Sequence, residues 1–374
     1  MQFGSMALEA IALQMVPGLG LRGVVHLLEH FGNAHEVFAA SLDALILKAE
    51  LRPDLAKEIQ RRSTFAAAER ELAYCAQHGI RVIASSDPDY PARLLETPDY
   101  PAVLYMQGDP SILSQKTLAM VGTRRATPYG EEQCKRLVQE LSERVDNLVI
   151  VSGLAFGIDA ASHRAALACH LPTIAVIANP LPNVTPAFHR SLARTILDLG
   201  GAIVTEQHSQ AKLRGTHYLS RNRIIAGLSA GTIVVESPAR GGSLNTANHA
   251  DSYNRTVMAV PGRPTDATSL GTNQLIRSHK AQLITSGADV VEELMWDFAE
   301  EPVRFSSKAS SAEELSSEEA RVLGFFPPND PIEGEALQQL AGIEAGELTA
   351  LLIGLELSGK IRLLPGNRYM KLCD

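Results

Sequence analysis

The fold class is decided by Leu118-Ala119-Met120-Val121-Gly122-Thr123-Arg124-Arg125, where an apolar run ends in a glycine and a pair of arginines. A short apolar run without polar alternation is typical of a strand that is covered on both faces. Similar runs recur, with helical stretches between them, at Leu148–Ser152, Thr173–Ala178, Ala202–Thr205, Thr232–Glu236, Thr256–Val260 and Gln282–Ile284. This alternation predicts a doubly wound, mostly parallel α/β sheet, whose ligands bind beyond the carboxyl ends of the strands.

The chain before this sheet, residues 1–70, is predicted to be a helical domain. Val16-Pro17-Gly18-Leu19-Gly20 separates two apolar-periodic segments, Ala7–Met15 and Leu21–Phe31, in the pattern of a helix-hairpin-helix, and residues 42–62 resemble a weaker second copy. Such a hairpin can present backbone N–H groups to a phosphate. A tight turn that only packs two helices explains the same residues, so both interpretations remain open.

The rest of the chain divides by pattern into a sheet domain, a linker and a third domain. The sheet domain covers residues 71–299, of which 71–110 form a connecting segment, and a polar linker covers 300–315. In residues 316–374, helices from Glu318, Gly334 and Ala345 precede a β-hairpin, which is a winged-helix layout. The helix in the recognition position is acidic and aliphatic, so we expect it to contact protein or to pack rather than to read DNA.

The net charge of −8 does not exclude a nucleic-acid ligand, because the acidic residues are concentrated in one region. Residues 296–350 contain twelve acidic and three basic residues, a balance of −9, so the remainder carries −8 − (−9) = +1. A near-neutral body can still hold a basic groove.

Four scattered cysteines without a CxxC pair favour neither a zinc site nor a disulfide framework. There is no apolar run long enough to span a membrane, and residues 1–12 lack the pattern of a secretory signal. We therefore expect a cytoplasmic protein with no membrane partner, no metal and no cofactor.

The loops after the strands carry the candidate site. Gly122 lets backbone N–H groups approach an anion, Thr123 adds a hydroxyl, and Arg124 and Arg125 add charge. Gly242 and Ser243 at a helix start form a second anion-binding shape, with Ser243 a candidate N-cap.

A third loop combines basic residues with an aromatic ring. Lys212 and Arg214 precede Tyr218, and Arg221 and Arg223 follow it. Charge that follows a backbone beside a ring that stacks on a base is what a single-stranded nucleic acid requires. Because Arg221 and Arg223 are two positions apart, one can face phosphate while the other pairs with Glu206 or Glu236.

Enzymatic signals are weak. GxGxxG, GxxxxGK[ST], HExxH and GxSxG are absent from the sequence. Asp159 and His163 lie four residues apart on one helical face, but no nucleophile joins them, so a helix cap and a side-chain hydrogen bond explain them better. We predict no catalytic residues.

The loops, taken in order, resemble the DNA-processing protein A (DprA/Smf) family. The resemblance is carried by Tyr90-Pro91-x-x-Leu94, Val121-Gly122-Thr123-Arg124, Ser152-Gly153-Leu154-Ala155-x-Gly157-Ile158-Asp159-x-x-x-His163, Arg221-Asn222-Arg223-Ile224-Ile225-Ala226-Gly227, Gly242-Ser243-Leu244-x-Thr246-Ala247 and Pro261-Gly262. The family usually has Phe where this chain has Tyr218, a change that keeps the stacking face.

The resemblance implies an extended Rossmann-like fold with a helical (SAM-like) N-terminal domain and a C-terminal winged helix. It also implies a homodimer through the Rossmann-like domain, which binds single-stranded DNA in a pocket around Arg124 and loads the RecA recombinase in natural transformation. Two alternatives stay open. One is an enzyme acting on nucleotides, with Asp159, Glu206 and Glu236 as acid–base candidates, and the other is a winged-helix transcription regulator.

Overall fold

The computed structural model describes residues 2–296, 317–327, 331–357, 360–364 and 368–371. The chain divides into two compact units, residues 1–299 and 300–374. The predicted linker, 300–315, lies outside the described residues, as does the tip of the predicted C-terminal hairpin at 365–367. The four-part domain division therefore stays a prediction.

The first unit begins with helices, as the sequence predicts. They are α1 (Gln2–Gln14), α2 (Gly20–Phe31), α3 (Ala34–Ala39), a π-helical turn (Ala44–Lys48), α4 (Pro53–Arg61) and α5 (Phe65–Gln77). The turn between α1 and α2 needs glycine, because Gly18 has a φ of +79° and Gly20 one of +65°. The predicted boundary at residue 70 falls inside α5.

These helices pack on one end of the sheet. Ile11 and Leu13 of α1 are fully buried in the same core as the sheet residues Leu104 and Val204. The side chain of Gln14 donates to the backbone carbonyl of Glu206 at 2.8 Å. The helical region is therefore continuous with the sheet rather than a separate compact unit.

The sheet has nine strands in the described residues, in the order β1-β2-β6-β5-β4-β3-β7-β8-β9. Their bounds are β1 (Arg81–Ala84), β2 (Val103–Gln107), β3 (Lys116–Gly122), β4 (Leu148–Ser152), β5 (Thr173–Val176), β6 (Ala202–Thr205), β7 (Gly231–Glu236), β8 (Thr256–Ala259) and β9 (Gln282–Leu283). The strands from β3 to β9 pair in parallel, and β2 joins β1 and β6 antiparallel. All seven predicted strands of the parallel sheet are present.

Helices cover both faces of this sheet. They are α6 (Ala92–Leu95), α7 (Pro128–Ser142), α8 (Ile158–Ala168), α9 (Arg190–Asp198), α10 (Gly215–Ser220), α11 (Asn222–Leu228), α12 (Gly242–Ser252), α13 (Leu270–Arg277) and α14 (Gly287–Glu293), with 3₁₀ turns at Pro110–Ser114 and Ala187–His189. Along β3, Ala119 and Val121 enter one core cluster while Leu118 and Met120 enter the other. Burial on both faces explains why the strand is continuously apolar.

The strand order reverses at β3. The chain runs from β3 through β4 and β5 to β6 in one direction, and then returns to place β7 on the other side of β3. The loops after β3 and β7 therefore diverge from neighbouring strand ends, which leaves a crevice of the kind that binds ligands in open α/β sheets.

The second unit is described by itself from α15 (Ser317–Leu323), β10 (Ile332–Glu333), α16 (Gly334–Ala341), α17 (Ala345–Leu357), β11 (Ile361–Leu364) and β12 (Arg368–Lys371). Its small sheet has the order β10-β12-β11. Leu348, Leu352 and Leu355 bury one side of α17 in the core, so this helix packs, as its aliphatic sequence predicts. No helix among the described residues is long and apolar enough to cross a membrane.

Candidate nucleic-acid interface

A cleft of ≈ 420 Å³ lies at the carboxyl ends of β3 and β7. It is lined by the loops after β3, β4 and β7 and by residues of α8, α10, α11 and α12, and its charged lining residues are Arg124, Arg125, Asp159, Arg221 and Arg240. Four arginines against one aspartate give it an excess of positive charge. Of the predicted site residues, the cleft brings together Gly122, Thr123, Arg124, Arg125, Tyr218, Arg221, Gly242 and Ser243.

A buried carboxylate fixes the conformation of the loop after β3. Glu236, at the end of β7, accepts from the backbone N–H of Thr127 at 2.9 Å and from its hydroxyl at 2.7 Å, and its carbonyl accepts from Thr123 N–H at 2.7 Å. The hydroxyl of Thr123 accepts from Arg125 N–H at 3.2 Å. With the loop backbone satisfied in this way, Arg124 and Arg125 extend into solvent.

The loop after β4 is fixed against the first one. Ile158 N–H donates to the carbonyl of Thr123 at 3.1 Å. Gly157 has a φ of +75°, and an added Cβ there would overlap the Thr123 carbonyl oxygen. Leu154 also takes a left-handed conformation, with a φ of +57°. A non-glycine residue in this conformation is strained, so the surrounding contacts must over-determine the loop.

Arg221 lies at the floor of the cleft rather than on its rim. Its side chain is buried, and Nη1 donates to the carbonyls of Gly153, at 2.6 Å, and Val176. Burial lowers its pKa, and the nearby Asp159 opposes that change. Burial also raises the pKa of Asp159, and Arg221 opposes that shift. Arg221 therefore ties the ends of β4 and β5 together and adds positive charge beneath the cleft.

Arg223 is not in the cleft. Its guanidinium is buried and pairs with Glu206 at 2.5 Å and with Asp99 at 3.8 Å. The two arginines of the Arg221-Asn222-Arg223 triplet thus separate as the helical spacing requires, and the carboxylate partner is Glu206, since Glu236 is occupied by Thr127. This buried ion pair joins residues from different elements of the fold, so its role is structural.

Tyr218 stands beside Arg124. The guanidinium carbon of Arg124 lies 5.6 Å from the centroid of the Tyr218 ring, within the range of a cation–π contact. Lys212 and Arg214 are exposed on the segment that leads into α10, outside the cleft lining.

The start of α12 differs from the sequence-based expectation. Ser243 is not the N-cap, because α12 begins at Gly242 with Gly241 in the cap position, and the Ser243 hydroxyl donates instead to the hydroxyl of Ser237 at 2.9 Å. Gly241 and Gly242 both line the cleft. Arg240, which precedes them and was not among the predicted site residues, is exposed in the cleft lining.

Asp159 and His163 do not form a pair. The carboxylate of Asp159 accepts from Ala155 N–H at 3.3 Å and does not cap α8, whose N-cap position is Gly157. His163 bonds through Nδ1 to the Thr173 hydroxyl at 2.7 Å, and burial lowers its pKa to about 3. Among the described residues there is no cluster of three potential metal ligands.

Phe156 was not among the site residues predicted from the sequence. It lines a smaller cavity of ≈ 120 Å³ that shares Arg124, Ala155, Tyr218 and Arg221 with the cleft. A phenylalanine in a glycine-rich loop carries no signal in the sequence that separates a core residue from an exposed one.

Comparison with known proteins agrees with this fold. The family model described as DNA recombination-mediator protein A matches residues 81–295, and that of the DprA winged helix domain matches residues 306–367. Protein Smf of Escherichia coli is 33% identical over 310 residues, covering 81% of this chain and 80% of that protein.

Two solved structures are similar as well. The X-ray structure of DNA processing protein A from Streptococcus pneumoniae matches with a TM-score of 0.67 and 32% identity, over 77% of this chain and 97% of that one. The Helicobacter pylori protein, whose structure concerns a single-stranded DNA binding mode, matches with a TM-score of 0.51 and 27% identity, over 58% and 96%. With its Rossmann-like sheet, switch-point cleft and winged helix, this chain belongs to the DNA recombination-mediator protein A (DprA/Smf) family.

Proposed function

We propose that this protein binds single-stranded DNA in the cleft at the ends of β3 and β7 and acts without catalysing a reaction. The observation that carries the proposal is the composition of the cleft. Arg124, Arg125 and Arg240 are exposed there, and none of them forms an ion pair with another described residue. Unpaired cations on a fixed backbone suit a phosphate chain.

Tyr218 adds a ring to this charged surface. Because a nucleobase always offers a π face, stacking on tyrosine tolerates any sequence. The cleft is also not an enclosed cavity around a single nucleotide. These features support a ligand that passes through the cleft as a strand. The similar Helicobacter pylori protein, whose structure concerns a single-stranded DNA binding mode, supports the choice of single-stranded DNA as the ligand.

The experiment is a titration of the protein against labelled oligothymidylate at several salt concentrations. We expect affinity to fall with salt, and Arg124→Ala to weaken binding at least about tenfold while reducing the slope of log K against log salt by about 0.7, the value for one phosphate contact on a single strand. Arg144→Ala is the control, because Arg144 is exposed at the far end of α7 from the cleft. Equal affinity of Arg124→Ala and the control would contradict the cleft assignment.

The nucleotide-acting enzyme is the less supported alternative. Of its three acid–base candidates, only Asp159 lines the cleft. Glu206 is paired with Arg223, and Glu236 is hydrogen-bonded to Thr127. Release of a base or of phosphate from nucleotides incubated with the protein, lost on Asp159→Asn, would favour this alternative.

A transcription regulator requires a helix that can read duplex DNA. Leu348, Leu352 and Leu355 of α17 are buried in the core of its own domain, and the helix contains Glu347 and Glu356. A specific mobility shift on duplex DNA at physiological salt would revive this alternative.

Two finer parts of the proposal come from family membership. We propose that the protein dimerises through the Rossmann-like domain and delivers single-stranded DNA to a RecA recombinase. Light scattering tests the dimer. The rate at which RecA begins to hydrolyse ATP on DNA coated with single-strand-binding protein tests the delivery, and a rate that does not change when the protein is added would contradict it.

A further inference from the structure

Two phenylalanine rings lie in solvent next to the cleft. Among the described residues, the exposed phenylalanines are Phe156, with 46% of its surface accessible, and Phe188, with 74%. Their ring centroids are 6.0 Å apart. The two residues are distant in the chain, one in the loop after β4 and the other in the 3₁₀ turn before α9. Their proximity is therefore produced by the fold.

The rings are held in place from below. His189 follows Phe188, is buried, and donates through Nδ1 to the carbonyl of Leu154 at 2.8 Å. Its ring lies 4.9 Å from the Phe156 ring and 5.7 Å from the Phe188 ring, measured between centroids. One side of the pair is therefore packed on a fixed imidazole, while the other side meets water.

The loop that carries Phe156 is also strained and fixed. Leu154 and Gly157 flank it with φ values of +57° and +75°. A solvent-exposed aromatic ring gains little from burial, so local packing does not explain why a strained loop presents it. Exposed apolar surface beside a binding cleft instead indicates a contact with a ligand.

The occupant is indicated by continuity with the cleft. Phe156 is a wall of the smaller cavity, whose other lining residues include Arg124, Tyr218 and Arg221 and, among the described residues, no acidic side chain. Arg190, which is exposed two residues after Phe188, adds a further cation. Aromatic faces interleaved with cations form a surface for a single strand, with phosphates on the cations and bases on the rings.

We propose that Phe156 and Phe188, which we call the phenylalanine platform, stack the bases of single-stranded DNA that leaves the cleft past Arg124 and Tyr218. This proposal rests on the proposed function and extends its site by at least one nucleotide on the β4–β5 side. It assigns the platform to bases and the arginines to phosphates.

The test separates the two roles. The double variant Phe156→Leu/Phe188→Leu should bind oligothymidylate at least about fivefold more weakly, the equivalent of ~1 kcal/mol of stacking. It should bind an abasic oligonucleotide of the same length with the affinity of the wild type. The slope of log K against log salt should stay unchanged. Arg124→Ala should weaken binding of both oligonucleotides.

A fluorescence experiment tests the contact directly. The chain has one tryptophan, Trp296, which serves as a constant background. The tryptophan fluorescence of the Phe188→Trp variant should be quenched when oligothymidylate binds. The matched control Leu199→Trp should not, because Leu199 is also exposed but lies at the other end of α9.

Each contrary outcome has its own meaning. If the wild type binds oligothymidylate and the double variant binds equally well, the phenylalanine platform is wrong and the proposed function stands. Equal weakening of binding to the abasic and normal oligonucleotides overturns base stacking. A double variant that binds DNA normally but fails to stimulate the recombinase also overturns it, because the platform would then be a protein-docking surface. A wild type that binds neither oligonucleotide overturns both proposals.

Discussion

The guanidinium carbon of Arg124 lies 5.6 Å from the centroid of the Tyr218 ring, although Arg124 follows β3 and Tyr218 lies in helix α10, between β6 and β7. The contact joins the loop after β3 to helix α10. In the proposed function, it holds in one place a cation for phosphate and a ring for a base. A family relative with phenylalanine at the position of Tyr218 would keep this contact, because the ring face and not the hydroxyl meets the arginine.

Replacement of Tyr218 separates the ring from the hydroxyl. We expect Tyr218→Phe to bind oligothymidylate like the wild type, and Tyr218→Leu to bind about 1–3 kcal/mol more weakly, the usual cost of a lost base stack. Fluorescence anisotropy measures both variants. A loss of affinity in Tyr218→Phe as large as in Tyr218→Leu would show that the hydroxyl, and not the ring, makes the contact.

Removal of the carboxylate next to Arg223 should destabilise the fold. Glu206→Gln leaves a buried guanidinium whose remaining partner, Asp99, is 3.8 Å away, so we expect a loss of about 3 kcal/mol or more in the free energy of unfolding. Urea denaturation measures it. The exposed pair Arg194–Asp198 provides the control, because Arg194→Gln should cost under ~1 kcal/mol. Similar losses in the two variants would argue against a structural task for Arg223.

A methyl group at Gly157 should damage both stability and binding. Gly157→Ala meets a left-handed φ, which costs about 1–2 kcal/mol, and overlap with the Thr123 carbonyl, which adds about 1–3 kcal/mol. Gly200→Ala is the matched control, because Gly200 has a φ of +80° but nothing within 4 Å of an added Cβ.

Both glycine variants therefore place alanine at a positive φ, but only Gly157→Ala also meets the overlap. We expect weaker oligothymidylate binding in Gly157→Ala alone, since the overlap displaces the backbone of Arg124. Thermal denaturation and the DNA titration measure the two effects. Equal behaviour of the variants would mean that the loops after β3 and β4 are not coupled in this way.

His163 should make the first unit sensitive to acid. Burial keeps the folded-state pKa at about 3, whereas an unfolded histidine titrates near ~6.5. Below ~6.5 the unfolded chain therefore binds a proton that the folded chain does not, so stability falls as the pH drops toward 3. Between pH 7 and pH 5 this amounts to about 2 kcal/mol.

The measurement is urea denaturation at both pH values for the wild type and for His163→Gln, whose amide can still bond to Thr173. The other titrating groups are common to the two proteins, so the variant should lose about 2 kcal/mol less than the wild type. The same loss in both would mean that His163 gains a proton in the folded state.

The sequence predicted the sheet well because its strands are buried on both faces. The continuous apolar run Leu118–Val121 is a consequence of two core clusters, so its pattern carries the fold. The positions of Gly122, Arg124 and Gly242 followed from the same argument, since the carboxyl ends of parallel strands meet at one edge.

The remaining features depend on contacts that the sequence does not encode locally. The spacing of Arg221 and Arg223 showed that they diverge, but not which one enters the cleft. The hydroxyl of Ser243 donates to Ser237 instead of capping α12, and His163 is hydrogen-bonded to Thr173 instead of Asp159. In each case the partner comes from another element, so only the folded chain reveals it.

The place of β7 beside β3 also governs when this protein can first hold a ligand. Three strands and their helices are synthesised between these two neighbours, so a polypeptide still on the ribosome carries Arg124 and Arg125 long before Arg240 and the glycines of α12 have emerged. A nascent chain of that length therefore has at most half of the cleft.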